Sequence, residues 1–335
     1  MDQLMHLKVK QYSMREAFGD RFPDTIKVTG FEKSECPFVP DRDPEWVWDR
    51  NVLRDLVIWW QDGGKDPALL FGHTGTGKSG AAKNFCAALN IPMYEKTIVR
   101  TTEFEELVTR VDLAGGSTIP SFSWLPLAMG ADGYPGIFCP NEIDRADPGM
   151  LVGLYEVLEG RPLTVSIGGL EVIKPSQFFR VLATSNTNLM GDPHGLYVSA
   201  TQQDLAIVDR FWKIRVPYMD AQTERDLLAK IVPQIAGTST GRKLTDAMVD
   251  VANEIRLAFM GESDANQALP LTMSTRSLVR WARMSWLYRG AASQGQSPVL
   301  MALDRALLNA ADGHPGVRRA IEEIVKGKLG ESPGV

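Results

Sequence analysis

The stretch "ALLFGHTGTGKSGAAKNFCAAL", Ala68–Leu89, decides how the fold is read. Its centre, "GHTGTGKS", is Gly72, His73, Thr74, Gly75, Thr76, Gly77, Lys78 and Ser79. This is the full pattern of a phosphate-binding loop, set between an apolar run and a helical run. Glycines let backbone amides converge on phosphate oxygens, and the helix N-terminus adds dipole and donors. Lys78 can reach outer phosphates, and Ser79 can offer its hydroxyl to Mg²⁺. A flexible glycine turn would explain the glycines. It would not explain a lysine and a hydroxyl at these offsets.

Outward from the loop, Pro67 to about Pro217 alternates apolar runs with helix patterns. The strand candidates are "ALLF", "KTIV", "GIFC", "RVLAT" and "WKIRV", which predicts an α/β sheet covered by helices. "GIFC" is expected beside the strand that feeds the phosphate loop. "LTVSI" and "LEVIK", joined by Gly168–Gly169, read as a β-hairpin inserted between Leu158 and Lys174. Before the loop, "PEWVWDRNVLRDLVIWWQ" predicts a helix that Asp49 or Asn51 can cap. Residues 1–45 are turn-rich, with one strand candidate around Ile26–Thr29, and read as an N-terminal extension packed on a core. After Pro217 the strand patterns stop. Met248, Val251, Ile255 and Phe259 recur at helical spacing, and "STRSLVRWARMSWLY" starts with the cap candidates Ser274 and Thr275. The expected division is 1–45, 46–219 for the α/β core and 220–335 for an all-helical domain.

The whole chain has 335 residues, 44% hydrophobic and 23% charged, with a formal charge of -5. That fits a globular chain and gives no general electrostatic case for nucleic acid. Cys36, Cys86 and Cys139 are widely spaced and read as reduced, buried small hydrophobes in a cytoplasmic protein. No run approaches the ~20 apolar residues that cross a bilayer.

Three further stretches carry candidate chemistry. "GIFCPNEIDRA" ends a strand candidate in Asn141 and Glu142. Glu142 can polarise a water for attack on the γ-phosphate. Asn141 stands where a magnesium-bound water would be held, with an amide oxygen but no charge. An exposed helix cap built from Asn141, Glu142 and Asp144 is the alternative. "FFRVLATSNTN" ends in Thr184, Ser185 and Asn186, where an amide can orient water or touch the terminal phosphate. "IVDRFWKIRVP" offers Arg210, and "MSTRSLVRW" offers Arg276 with Arg280 one turn later. Each arginine is either a solvated charge or a group that neutralises developing phosphate charge. Trp46, Trp48, Trp59 and Trp60 read as packing before they read as an adenine platform. "GGSTIPSFSWLPLAMG", with Trp124, reads as a partner-facing loop or a buried anchor.

In combination these blocks resemble AAA+ ATPases of the MoxR group, and within it the small ATPase subunits of aerobic cobalt chelatases. The matching stretches include "VTGF", "PEWVWDR", "GHTGTGKS", "NEIDRA", "FRVLATSNTN" and "STRSLVRWA". The most specific is "NTNLMGDPHGLYVSATQQDLAIVDRFW", Asn186–Trp212. The resemblance implies an AAA+ core with a parallel sheet, the inserted hairpin and a C-terminal helical lid. It also implies ATP/ADP and Mg²⁺ as ligands and six-membered homo-oligomeric rings. A partner carrying an adhesion-type domain would complete the machine. It assigns Lys78 and Ser79 as phosphate-loop ligands, Glu142 as catalytic acid and Asn186 as polar sensor. Arg210 becomes the neighbouring-subunit finger and Arg276 the lid sensor. Val47 and Trp48 are expected near adenine. The departure is Asn141, where the family usually has an acid. Three readings follow: a partner-remodelling motor slowed by Asn141, a nucleotide-gated ring with little hydrolysis, and a motor stimulated by nucleic acid.

Overall fold

The computed structural model describes residues 5–114, 116–167, 169–192, 195–262 and 269–330. Gly168 of the expected hairpin turn, and Pro193 and His194 of the specific block, lie outside them. The chain divides into two compact units, Met1–His73 with Gly77–Val216, and Thr74–Thr76 with Pro217–Val335. Described strands are β1 (Val9–Ser13), β2 (Lys27–Phe31), β3 (Ala68–Phe71), β4 (Met93–Thr97), β5 (Thr109–Ala114) and β6 (Ser117–Phe122). They continue with β7 (Ile137–Asn141), β8 (Leu163–Ser166), β9 (Leu170–Ile173), β10 (Arg180–Ser185) and β11 (Trp212–Arg215).

The first unit is built on a five-stranded sheet in the order β11-β3-β10-β7-β4, every neighbouring pair parallel. Its three central strands, β3, β10 and β7, are buried nearly throughout because both faces are covered, whereas the edge strands β11 and β4 carry charged residues. Ala68 and Leu70 enter one core cluster and Leu69 the other, and Cys139 and Phe138 divide in the same way. Parallel strands buried on both sides take that form. The expected adjacency of "GIFC" to the loop strand is corrected. β10 lies between β3 and β7, with Leu182 paired to Ala68 and Arg180 to Ile137. "KTIV" is also shifted, since the strand begins at Met93 and ends at Thr97.

The hairpin expected between Leu158 and Lys174 is present as β8 and β9, with Leu163 opposite Ile173. A second antiparallel pair was not expected. Part of the stretch read as a loop is β6, which pairs with β5 so that Val111 faces Pro120. Proline is tolerated because a two-stranded ribbon has free edges. Ser121 Oγ donates to Asp112 Oδ2 at 2.5 Å and fastens the ribbon across its strands. Trp124 starts the helix Trp124–Met129 and is half-buried against the core. N-terminal to the sheet, β1 and β2 pair and contribute Tyr12, Val28 and Phe31 to the same core as Leu70. Asp49 caps the helix Arg50–Asp62 by accepting from the amides of Asn51 and Val52.

The second unit is helical, and among the described residues no strand follows Arg215. Met248, Val251, Ile255 and Phe259 are buried on one stripe of the helix Ser239–Met260, as the spacing predicts. Its polar centre is an ion pair inside that core. Arg256 forks onto Glu224 at 2.7 and 2.8 Å, with both side chains at most 2% exposed. The same guanidinium donates to Met273 O at 2.7 Å, and Thr275 Oγ1 donates to Glu224 Oε1 at 2.6 Å. The pair thereby fixes the chain entering the helix Thr275–Leu287, which Ser274 caps. Removing one partner strands a buried charge, which costs about 3–5 kcal/mol. Glu224→Ala is therefore expected to lower the unfolding free energy of this unit by that amount. Chemical denaturation of the variant, compared with a surface control such as Glu323→Ala, checks it.

Candidate functional site

The phosphate loop joins β3 to the helix Lys78–Leu89. Gly77 is the N-cap at φ 93°, a left-handed conformation that a glycine adopts without strain. No side chain caps this helix, so its first amides are left to an anion. A Cβ on Gly77 would come within 3.2 Å of the Trp46 ring, and one on Gly80 within 2.5 Å. Trp46 is thus a side chain of its segment that reaches the loop. Trp48 is buried, with its ring 5.6 Å from Phe18 and 5.7 Å from Trp46. Val47 is half-buried. His73 is engaged sideways, its Nδ1 3.0 Å from the hydroxyl of Tyr197.

Lys78 ties the loop to the neighbouring strand. Its ammonium donates to Gly72 O at 2.7 Å, His73 O at 2.9 Å and Asn186 Oδ1 at 3.0 Å. Burial pushes its pKa down to about 8, against the pull of Asp144 and Glu142. Asn186 follows directly on β10, so the inserted position of that strand delivers it to the lysine.

Ser79 ties the loop to β7. Its hydroxyl donates to Asn141 Oδ1 at 3.3 Å, and Thr184 Oγ1 donates to the same oxygen at 2.8 Å. The Asn141 amide nitrogen donates to Glu95 Oε1. Asn141 and Asp144 are buried, which removes the exposed-cap reading of "NEIDRA". Glu142 sits at φ 57° and ψ 42°, a left-handed backbone costing a non-glycine residue about 1–3 kcal/mol. Its amide donates to Thr184 Oγ1 at 3.2 Å, and its carboxylate pairs with Arg145 at 2.7 Å. The hydroxyl of Ser79, the amide oxygen of Asn141 and the carboxylate of Glu142 are hard oxygen donors suited to Mg²⁺. The uncapped helix and buried amine suit the phosphates of a nucleotide.

Asp144 has a job the sequence left unassigned. Its Oδ2 accepts from the amides of Asn186 at 3.0 Å and Thr187 at 3.2 Å, and from Thr187 Oγ1 at 3.3 Å. It fixes the backbone that carries Asn186 through Oδ2, while Oδ1 is buried without a hydrogen-bond partner among the described residues. The residues that packed it are 42 and 43 positions distant, so spacing gave no signal.

Arg210 ends the helix Leu205–Arg210 and is clamped by contacts within the chain. Its Nη2 donates to Glu159 Oε1 at 2.7 Å, its guanidinium lies 4.5 Å from the Tyr155 ring centroid, and Nη1 donates to Ala206 O. Arg210, and then Arg161, hold the Glu159 carboxyl below the usual range. Arg276 is exposed in the first turn of its helix in the second unit, as is Arg280 one turn on.

Asp144→Ala leaves the Asn186 amide short of its acceptor, at about 1–3 kcal/mol, while the Thr187 amide keeps Ser185 Oγ at 3.0 Å. The expected result is a destabilised first unit and an ATP turnover lower by about 10²-fold, the scale of a displaced reacting group. Asp144→Asn keeps one acceptor oxygen and should lose less of both. Urea denaturation and phosphate release, measured side by side, check the pair.

Known proteins resemble this chain in two segments. A family model described as an AAA domain of the dynein-related subfamily matches residues 67–211. A second, described as CbbQ/NirQ/NorQ C-terminal, matches residues 229–327. The aerobic cobaltochelatase subunit CobS of Sinorhizobium sp is 29% identical over 285 residues, covering 82% of this chain and 80% of that protein. An uncharacterized protein of Staphylococcus haemolyticus is 30% identical over 165 residues, covering 48% of this chain and 59% of that one. A solved structure from Cytophaga hutchinsonii, 17% identical, aligns with a TM-score of 0.44 and covers 84% of this chain and 90% of that one. Among the described residues no helix is long and apolar enough to cross a membrane. The chain carries a MoxR-family AAA+ ATPase domain, with the use of ATP and magnesium that this implies, and is homologous to the CobS type of cobaltochelatase subunit.

Proposed function

We propose that this chain is a MgATP-hydrolysing motor of the MoxR/CobS type that remodels or activates a partner protein. One observation carries the reading: the phosphate loop is stitched to two strand ends, through Lys78 to Asn186 and through Ser79 to Asn141. An idle glycine turn has no use for a buried ammonium shared between backbone carbonyls and a sensor amide. We assign 46–219 to the motor core, 220–335 to the lid and 1–45 to an extension.

Gly72–Gly77 bind the phosphate chain through their backbone, and Lys78 orients its outer oxygens. Ser79 directly, and Asn141 through water, would hold Mg²⁺, which when bound neutralises phosphate charge. Glu142 takes a proton from the attacking water. That requires its carboxylate to leave Arg145, to which it is paired in the free protein. Asn186 aligns the water or the terminal phosphate beside Lys78. Arg210 acts across a subunit boundary in a six-membered ring, which requires release from Glu159. Arg276 reads the phosphate state from the lid, and Val47 and Trp48 belong to the adenine end. The name of the Sinorhizobium relative makes a cobaltochelatase complex the first client to test, and the family resemblance adds a partner with an adhesion-type domain.

Asn141 favours a second reading, a nucleotide-gated ring with little hydrolysis, because an amide carries no charge toward the cation. Phosphate release and mass in solution, measured together, separate the two. A motor turns over ATP as an assembled ring, and Glu142→Gln lowers turnover by about 10²–10⁴-fold while keeping MgATP binding. Assembly on ATP without turnover, even with the partner added, would favour the gated ring. Stimulation by single-stranded or duplex nucleic acid would instead reclassify the client. For the finger, Arg210→Ala is expected to cost about 10³–10⁵-fold. Mixing it with Glu142→Gln protomers should restore some sites, and no recovery in rings shown to be mixed would remove Arg210 from that role.

A further inference from the structure

We propose that Glu95 compensates for Asn141: from the adjacent strand it pins the amide so that its oxygen faces Ser79, and it returns a carboxylate to that strand end. The inference rests on the MgATP reading above and deepens it at the cation.

β4 lies beside β7 in parallel register, with Glu95 opposite Cys139 and Thr97 opposite Asn141. Glu95 Oε1 accepts from the Asn141 amide nitrogen. Its other oxygen pairs with Lys83 Nζ at 2.8 Å. Lys83 is one helical turn beyond Ser79, so the ion pair lies along the face that carries the hydroxyl. Ser79, Asn141, Glu95 and Lys83 thus form one connected chain of polar contacts, closed at the middle by Thr184.

An amide has an end that accepts and an end that donates, and the two are nearly the same size. Left alone, Asn141 could turn its NH₂ toward Ser79 and present a donor where a cation's water shell needs an acceptor. Glu95 is acceptor-only when ionised, so the NH₂ must face it and the oxygen must face Ser79 and Thr184. A donor bound to an anion also polarises the opposite end of the amide, making Oδ1 a stronger acceptor. Lys83 balances part of the charge and holds Glu95 in place, so the carboxylate is positioned rather than free to swing into solvent. The pair is an acid and an amide in exchanged positions: the charge expected at 141 stands one strand over. Glu95 is a positioning residue, acting through Asn141.

The exchange supplies its own test on the full-length chain. The affinity of a fluorescent ATP analogue is measured in EDTA and across a Mg²⁺ titration, and Mn²⁺ uptake is followed by loss of the free-ion electron paramagnetic resonance signal. Glu95→Gln and Glu95→Ala should raise the Mg²⁺ half-saturation about 10-fold or more, the scale at which outer-shell partners act. Nucleotide affinity in EDTA should stay within twofold. The double variant Asn141→Asp/Glu95→Gln restores an acid–amide pair in the opposite order and should return the half-saturation to the wild-type value or below. Asn141→Asp alone sets two carboxylates at hydrogen-bond distance and should melt at a lower temperature than the double variant.

If both Glu95 variants titrate with Mg²⁺ within twofold of wild type, or the exchange does no better than Glu95→Gln, the inference is overturned. Circular dichroism and melting temperature verify folding, and the size-conserving Glu95→Gln and the exchange decide the matter if Glu95→Ala does not fold. Failure of the underlying reading looks different. Wild-type nucleotide affinity that ignores Mg²⁺ removes the MgATP reading and this inference with it.

Discussion

The first unit is organised around one buried ammonium. Lys78 leaves a helix that no side chain caps and donates to two carbonyls of its own loop and to Asn186. A lone cation out of water is costly unless every donor is satisfied. Meeting that demand determines where the neighbouring strand ends, because Asn186 must arrive within 3.0 Å of the amine. The same burial lowers the pKa of Lys78. A phosphate anion would relieve it, which is why a protein keeps such a group at an open helix terminus.

Two residues of "NEIDRA" then divide the remaining work between different neighbours. Asn141 faces the phosphate loop through Ser79. Asp144, after a left-handed Glu142 and within a short turn, holds the amides of Asn186 and Thr187. The left-handed residue between them carries its strain in the backbone of Glu142. The acids of this stretch are therefore not interchangeable. Asp144 holds the backbone at Asn186 and Thr187 through Oδ2 alone, and its charge acts on Lys78. Glu95 reaches Asn141 from β4, the other neighbour of β7.

The second unit solves a different problem with similar means. Its helices pack by apolar stripes, which set their faces but not the path of the chain between them. The Glu224–Arg256 pair, fully withdrawn from water, adds bonds to Met273 O and Thr275 Oγ1 and so defines where the Arg276 helix begins. Apolar packing in that place could give comparable stability but not the same directional hold.

Much of this was legible in the chain itself. The phosphate loop, the apolar strands, the inserted hairpin and the helical second unit follow from glycine offsets, continuous apolar runs and helical periodicity, because each is a local property of the sequence. Cys36, Cys86 and Cys139 are free and buried, in keeping with their isolation in the sequence. What spacing could not supply was lateral order. β10 follows β7 in sequence but lies between it and β3, so "GIFC" is not the neighbour of the loop strand. β6 fell within a stretch read as a loop or a buried anchor, and Pro120 interrupts its alternation. Trp46 against Gly77, Glu95 under Asn141 and Asp144 beneath Asn186 are contacts between residues 31, 46 and 42 positions apart. Side-chain chemistry named the candidates, but only the pairing of strands decided which of them meet. A hydrogen bond depends on distance and angle in space, and the linear order of residues records neither.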